Sequence, residues 1–281
     1  MRRLVIRPGA IGDTIVGLPA LERLCAAESG AGSAEIWAPS RNLPLVRHIA
    51  PARSFTSVQL DLLEIDPPPA LIEKLRSFDE IVSWYGAARE EFDAALQSVG
   101  VPFRLLRALP SEGSGCHAVD FYLKQAGFAA AASLEIAPRL PVPRRAVSGG
   151  GEFIAIHPFS GSRKKNWDLA AFQAAASLLT ELTGLPCEWC AGPEEELPGA
   201  RRFDALDEVA RWLSEAALYL GNDSGISHLA AACGVPSVVI FIVTDASIWS
   251  PRGPEVAVLQ TSDLAQVVEA ALALLRADGR Q

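Results

Sequence analysis

The segment Ala217–Ile240, ALYLGNDSGISHLAAACGVPSVVI, decides the fold. Ala217 to Leu220 is a short apolar run with the length of a buried strand. Gly221-Asn222-Asp223-Ser224-Gly225 makes a turn, and Ile226 to Cys233 has the spacing of a short helix. Gly234-Val235-Pro236 stops that helix before a second apolar run, Ser237 to Phe241. A strand, loop, helix, strand unit of this kind builds a parallel sheet. In such sheets ligands bind at the carboxyl ends of strands, where the next helix offers free N–H groups and a positive dipole end. Asp223 and Ser224 fall at that position, Gly225 allows close backbone approach, and His228 lies one turn into the helix. Such a loop suits a diphosphate, held on backbone N–H groups and a Ser hydroxyl. The same residues serve equally well as a plain helix N-cap.

The rhythm continues on either side. Leu4 to Ile6 is a strand, Arg7 to Asp13 a glycine-containing turn, and a helix runs from about Thr14 to Ala27. Ala34 to Ala38, Ser54 to Val58, Glu80 to Trp84 and Pro102 to Leu106 read as further strands. Helices fall near Leu43 to Ile49, after Pro67-Pro68-Pro69 to Arg76, at Glu90 to Val99 and at His117 to Gln125. A composition shift follows, Pro-rich from Pro138 to Pro143 and then Ser148-Gly149-Gly150-Gly151, which reads as an interdomain linker. Beyond it come strands at Phe153 to Ile156 and Leu185 to Cys190, and helices at Leu169 to Thr183 and Leu206 to Ser214. A last strand, Glu255 to Leu259, precedes a terminal helix, Leu264 to Leu275. Strands alternating with helices imply parallel sheets covered on both faces.

A chain of 281 residues, 49% hydrophobic, is long enough for two ordinary domains with sizeable cores. Its mean hydropathy of +0.20 speaks against disorder. The net charge of −8 argues against a general nucleic-acid binder. No run approaches the length of a membrane span, and Leu4 to Ile6 is far too short for a signal peptide, so a cytoplasmic protein is expected. Five widely spread cysteines fit reduced thiols. Cys187 and Cys190 form a C-x-x-C, but on a strand they point to opposite faces, and no second pair completes a zinc site.

Three loops carry chemistry. The chain has four lysines, and two of them, Lys164 and Lys165, sit beside Arg163 in the Ser/Gly loop after Ile156. Three cations at a strand end suit a phosphate, although charge runs are more often solvated surface. The first turn lacks the three-glycine dinucleotide fingerprint, so NAD binding is weakly supported. It offers Asp13 beside Gly9 and Gly12, a carboxylate able to take a proton from an attacking sugar hydroxyl. A helix start favours the ionised carboxylate, and Asp13 serves as well as a first-turn acid that stabilises the helix.

Gly221-Asn222-Asp223-Ser224-Gly225-Ile226-Ser227-His228-Leu229-Ala230-Ala231-Ala232 resembles the donor-binding pattern of glycosyltransferase family 9, the lipopolysaccharide heptosyltransferases. Arg7, Gly9, Gly12 and Asp13 with Leu18-Pro19-Ala20-Leu21 resemble the family's opening, and Trp249 to Pro254 and the His117 helix resemble later segments. By that resemblance Asp13 is the general base, with Gly9 and Gly12 in the acceptor-side loop. The K-x-W spacing makes Lys165 the donor-phosphate lysine. The loop after Cys190 makes Glu195 the ribose acid, and Thr244 with Asp245 matches a further donor loop. Phe159 and Ile242 stand where the family has glycine, and only Leu197 to Asp204 intervenes where it carries another helix and strand.

The resemblance implies a GT-B architecture, two Rossmann-like domains with parallel sheets facing across a cleft. Residues 1–140 would form the acceptor domain, 141–151 the linker and 152–262 the nucleotide-sugar domain. Terminal helices such as 263–277 often cross back to the first domain in such enzymes. The implied function is inverting transfer of a sugar, heptose by the family, from a nucleotide-sugar donor, ADP-linked by the family, to a lipid-linked saccharide of lipopolysaccharide type in a bacterium. The nucleotide-sugar is a substrate, no cofactor is implied, and no D-x-D metal pair is evident. Peripheral contact with the inner face of the cytoplasmic membrane goes with such an acceptor. Two alternatives stay open: a non-catalytic nucleotide- or saccharide-binding protein on a degenerate GT-B fold, and a nucleotide-sugar epimerase.

Overall fold

The computed structural model describes residues 1–26, 32–111, 113, 115–128, 136–142 and 153–277. The chain divides into two compact units, Met1–Ala131 and Ala132–Gln281. The division falls ahead of the boundary expected at 140, and Leu140 already belongs to the second unit, its N–H donating to the Ala232 carbonyl at 2.9 Å. Of the expected linker, residues 143–151 lie outside the described residues.

Each unit is a five-stranded, all-parallel sheet. In the first, β1 (Arg2–Ile6), β2 (Ser33–Ala38), β3 (Ala52–Ser54), β4 (Glu80–Ser83) and β5 (Phe103–Leu105) are ordered β3-β2-β1-β4-β5. In the second, β6 (Ile154–His157), β7 (Cys187–Trp189), β8 (Leu218–Asn222), β9 (Ser237–Ile240) and β10 (Val256–Leu259) are ordered β10-β9-β8-β6-β7. Chain order reverses between β1 and β4 in one sheet and between β6 and β8 in the other. These are the switch points where doubly wound sheets open a crevice at their carboxyl edge.

Period-two alternation explains the two covered faces. Along β8, Leu218 and Leu220 join Ile154, Ile156, Val238 and Ile240 in one core with Phe172 and Leu179 of the helix Leu169–Thr183. Tyr219, fully buried, points to the opposite face, toward Ser227 of the helix Gly225–Ala232. The terminal helix Leu264–Ala277 gives Val267, Val268, Ala271 and Leu275 to the same core as Leu218. Its apolar face packs within the second unit. In the first unit Leu4, Ile6, Trp37 and Ile81 pack with Leu71, Leu75, Phe92 and Leu96.

Three expected elements differ. The helix predicted from Thr14 begins at Ile11 and breaks at Gly17 into Ile11–Val16 and Leu18–Cys25. Pro19, in the first turn of the second piece, lacks an N–H to continue the ladder, and a Cβ on Gly17 would lie 2.9 Å from Arg7 Nε. The strand expected over Ser54 to Val58 ends at Ser54, whose hydroxyl caps a helical turn, Phe55–Val58, by accepting the Ser57 N–H at 3.0 Å. The strand expected to end at Leu220 continues through Asn222, paired with Ile240, and the turn begins at Asp223. Among the described residues no helix is long and apolar enough to cross a membrane.

Candidate functional site

In the second unit five loops leave the carboxyl edge, one after each of β6 to β10. Where β6 and β8 meet, Lys165 Nζ lies 2.8 Å from Asp223 Oδ2. Asp223 is nearly buried, its side chain 7% exposed, while that of Lys165 is 35% exposed. The buried acid therefore holds an ammonium that still faces solvent. Arg163 and Lys164, in the same tight turn Arg163–Lys165, are exposed and carry no ion pair among the described residues. Behind Asp223 the helix Gly225–Ala232 starts with Ser224 as its N-cap, accepting the Ser227 N–H at 3.4 Å.

This corner is fixed by Asn222, which is fully buried. Its Oδ1 accepts the Trp167 N–H at 2.9 Å and its Nδ2 donates to the Pro158 carbonyl at 2.7 Å. One side chain thus ties both ends of the cationic loop to the turn bearing Asp223. Gly221 has a different reason: the Tyr219 ring lies back over it on its way to Ser227, 3.0 Å from the phenol oxygen. A Cβ at 221 would lie 2.2 Å from that oxygen.

Glu195 stands in the loop after β7. Its Oε2 accepts the Gly192 N–H at 2.6 Å and lies 3.1 Å from His157 Nε2, at the end of β6. Arg202 clamps the loop, donating to the carbonyls of Gly192 and Glu195. Burial alone would raise the Glu195 pKa. The hydrogen bond and charge of His157, the Gly192 N–H and the Arg202 charge outweigh it and hold the carboxyl below its usual range. The segment 197–204 returns to the sheet edge through Arg201, which bridges Cys190.

In the first unit, Asp13 is half-buried in the first turn of Ile11–Val16, and its Oδ2 accepts the Ala10 N–H at 2.9 Å. Gly9 has φ +110°, and a Cβ there would lie 2.7 Å from Asp13 Cβ, so glycine is what lets the turn close on the carboxylate. Gly12 lies within the helix, half-buried. Beneath the turn Arg7 is 1% exposed and donates to the Asp13 carbonyl. Its guanidinium lies 4.1 Å from the Tyr122 ring centroid and 5.4 Å from that of Trp84, while its Nε has no hydrogen-bond partner among the described residues. Asn42, fully buried, donates to the Gly9 carbonyl at 3.0 Å and to Thr14 Oγ1 at 2.7 Å.

Of the residues expected at a donor site, Lys165, Asp223, Ser224 and Gly225 share one corner and Glu195 meets a histidine. His228 is 6% exposed within its helix. Thr244 is half-buried in the bend after β9, with no side-chain hydrogen bond among the described residues, and Asp245 caps the short helix Ala246–Trp249 instead. Sequence reasoning passed over Asn222 as a bridge, His157, Arg202 and Asn42. Only Asn222 and His157 carried a signal, each standing where an apolar strand meets a loop. Among the described residues no group of three or more His, Cys, Asp or Glu is placed to hold a metal ion.

Two parallel-sheet α/β domains, with polar loops gathered at the carboxyl edge of each sheet, match the GT-B glycosyltransferase fold. The family model "Glycosyltransferase family 9 (heptosyltransferase)" matches residues 129–270, half of the chain, and the chain belongs to that family. E. coli ADP-heptose LPS heptosyltransferase II superposes with a TM-score of 0.76 at 17% identity, covering 99% of this chain and 100% of that one. A family 9 glycosyltransferase from Veillonella parvula gives 0.75 at 16%, covering 98% and 97%. E. coli heptosyltransferase WaaC with ADP gives 0.65 at 16%, covering 100% of both. At such identities the likeness is one of fold. No curated protein sequence matches the chain.

Proposed function

We propose that the protein is an inverting, metal-independent glycosyltransferase that moves a heptose from an ADP-linked donor to a lipid-linked saccharide of the lipopolysaccharide type. The observation that carries this reading is the Lys165–Asp223 pair at the β6/β8 switch point, with two further cations in the same turn that have no ion pair among the described residues. In the reaction the acceptor hydroxyl attacks the anomeric carbon as Asp13 takes its proton. The bond from that carbon to the diphosphate oxygen breaks, and the nucleoside diphosphate leaves. Lys165, the N–H groups at the start of Gly225–Ala232 and the Ser224 hydroxyl neutralise the departing charge. Glu195 accepts the ribose hydroxyls. Family membership supports transfer, and relatives whose structures hold ADP or ADP-linked heptose support the donor.

Calorimetric titration with ADP, UDP, GDP and CMP, without added metal, tests the donor site. Wild type is expected to bind ADP at micromolar Kd. Lys165→Ala should bind roughly tenfold or more weakly, a loss of about 1.4 kcal/mol. If none of the four binds, the donor reading fails, and a degenerate fold without transfer is the better description.

A further inference from the structure

The pair formed by His157 and Glu195 has a geometry that a surface ion pair lacks. A carboxylate can only accept, so at 3.1 Å the His157 Nε2–H donates to Glu195 Oε2. Nε2 is therefore a donor in this pair. Nδ1 is buried with no hydrogen-bond partner among the described residues. His157 is 4% exposed, and Phe159 meets its ring edge-on at 6.1 Å, so the imidazole is held in this orientation.

The hold falls on one oxygen. Oε2 takes the His157 and Gly192 donors, and Arg202 pins the carbonyls at both ends of the loop. Glu195 therefore keeps its charge and a single side-chain direction, and among the described residues Oε1 takes no hydrogen bond. A ribose 2′,3′-diol offers two O–H donors to such an acceptor, and a 2′-deoxyribose offers one fewer.

We infer that His157 is a positioning residue for ribose recognition: by fixing Glu195 it sets the preference for ribonucleotide over 2′-deoxyribonucleotide donors. The inference rests on the reading of Glu195 as the ribose ligand.

The test is calorimetry of ADP and 2′-deoxy-ADP with wild type, His157→Phe and His157→Gln. Phe keeps a ring without the donor, and Gln restores an N–H near the position of Nε2. His157→Ala, which cannot overpack, repeats the Phe arm if that variant does not fold. Wild type is expected to favour ADP by about tenfold, the value of one charge-assisted hydrogen bond. His157→Phe should bring the ratio near one while 2′-deoxy-ADP binding stays within about twofold, and Gln should recover most of the preference. An undiminished ratio in His157→Phe, or an equal loss for both nucleotides, overturns the inference and leaves the donor reading standing. Absence of ADP binding to the wild type removes the donor reading itself, and the inference with it.

Discussion

Replacing Asn222 by alanine should loosen the donor corner more than any surface change near it. Asn222 is fully buried and makes two hydrogen bonds, at 2.9 Å from the Trp167 N–H and at 2.7 Å to the Pro158 carbonyl. Truncation orphans both backbone groups at a fully buried position, at about 1–3 kcal/mol each, so the total is about 2–6 kcal/mol. For a unit of roughly 150 residues each kcal/mol moves Tm by about 2–4 °C, giving a fall of about 4–24 °C. Two units can unfold in separate transitions, so the shift belongs to the second unit's transition in a calorimetric scan. Asn222→Asp sharpens the test. It keeps an acceptor for Trp167 but turns a carboxylate oxygen toward the Pro158 carbonyl and adds charge next to Asp223. It should melt no higher than the alanine variant. Both variants should weaken ADP binding, because the cationic turn loses its anchor. If Asn222→Ala melts within about 2 °C of wild type and binds ADP unchanged, the bridge is not what fixes this corner.

Gly221→Ala would place a Cβ 2.2 Å from the Tyr219 hydroxyl oxygen. It should cost about 1–3 kcal/mol by overpacking, and adding Tyr219→Ala should recover part of that loss in a double-mutant cycle of denaturant midpoints. The acid limit of stability should involve Glu35. Burial pushes its carboxyl up, but hydrogen bonds from Lys74 and Trp37 and the charges of Lys74 and Arg53 hold it below its ordinary 4.5. A depressed folded value gives stability that is present above about 4.5 and lost as pH falls through the folded value. The difference in stability between wild type and Glu35→Gln, measured by urea unfolding, should therefore be flat near neutrality and shrink below that pH. A difference that grows on acidification would reverse the assignment.

Local signals made much of the fold legible. The helices Glu90–Val99, Leu169–Thr183 and Leu206–Ser214 are where the apolar period put them. Two of them end at glycines of positive φ, Gly100 and Gly184, and Asp168 caps the second by accepting the Ala170 N–H. The failures have local causes too. Ser54, at the head of an expected strand, instead caps a helical turn. A four-residue helix such as Ala246–Trp249 is too short to show a period. In the site, the residues that present charge on loops were legible because glycine, lysine and acid patterns are local. The residues that hold them were not: Asn222 is 55 positions from Trp167, Glu195 is 38 from His157 and Asn42 is 28 from Thr14. Those spacings acquire meaning only once the parallel strands bring their carboxyl ends side by side.

The two units solve the same problem with opposite signs. At the end of β1 the buried partner is a cation: Arg7, 1% exposed, lies against aromatic rings and supports the turn from which Asp13 offers a half-exposed carboxylate. At the β6/β8 corner the buried partner is an acid: Asp223 sits inside and Lys165 carries the exposed charge. A bare charge on a flexible loop loses orientation and is screened by solvent, whereas one backed by a buried opposite charge or dipole keeps both direction and field. The carboxylate side suits a proton acceptor and the ammonium side a leaving phosphate. Charge reversal at either corner should therefore do more than truncation. Asp223→Lys, for example, buries a second ammonium against Lys165, and it should lower the second unit's melting temperature further than Asp223→Ala does.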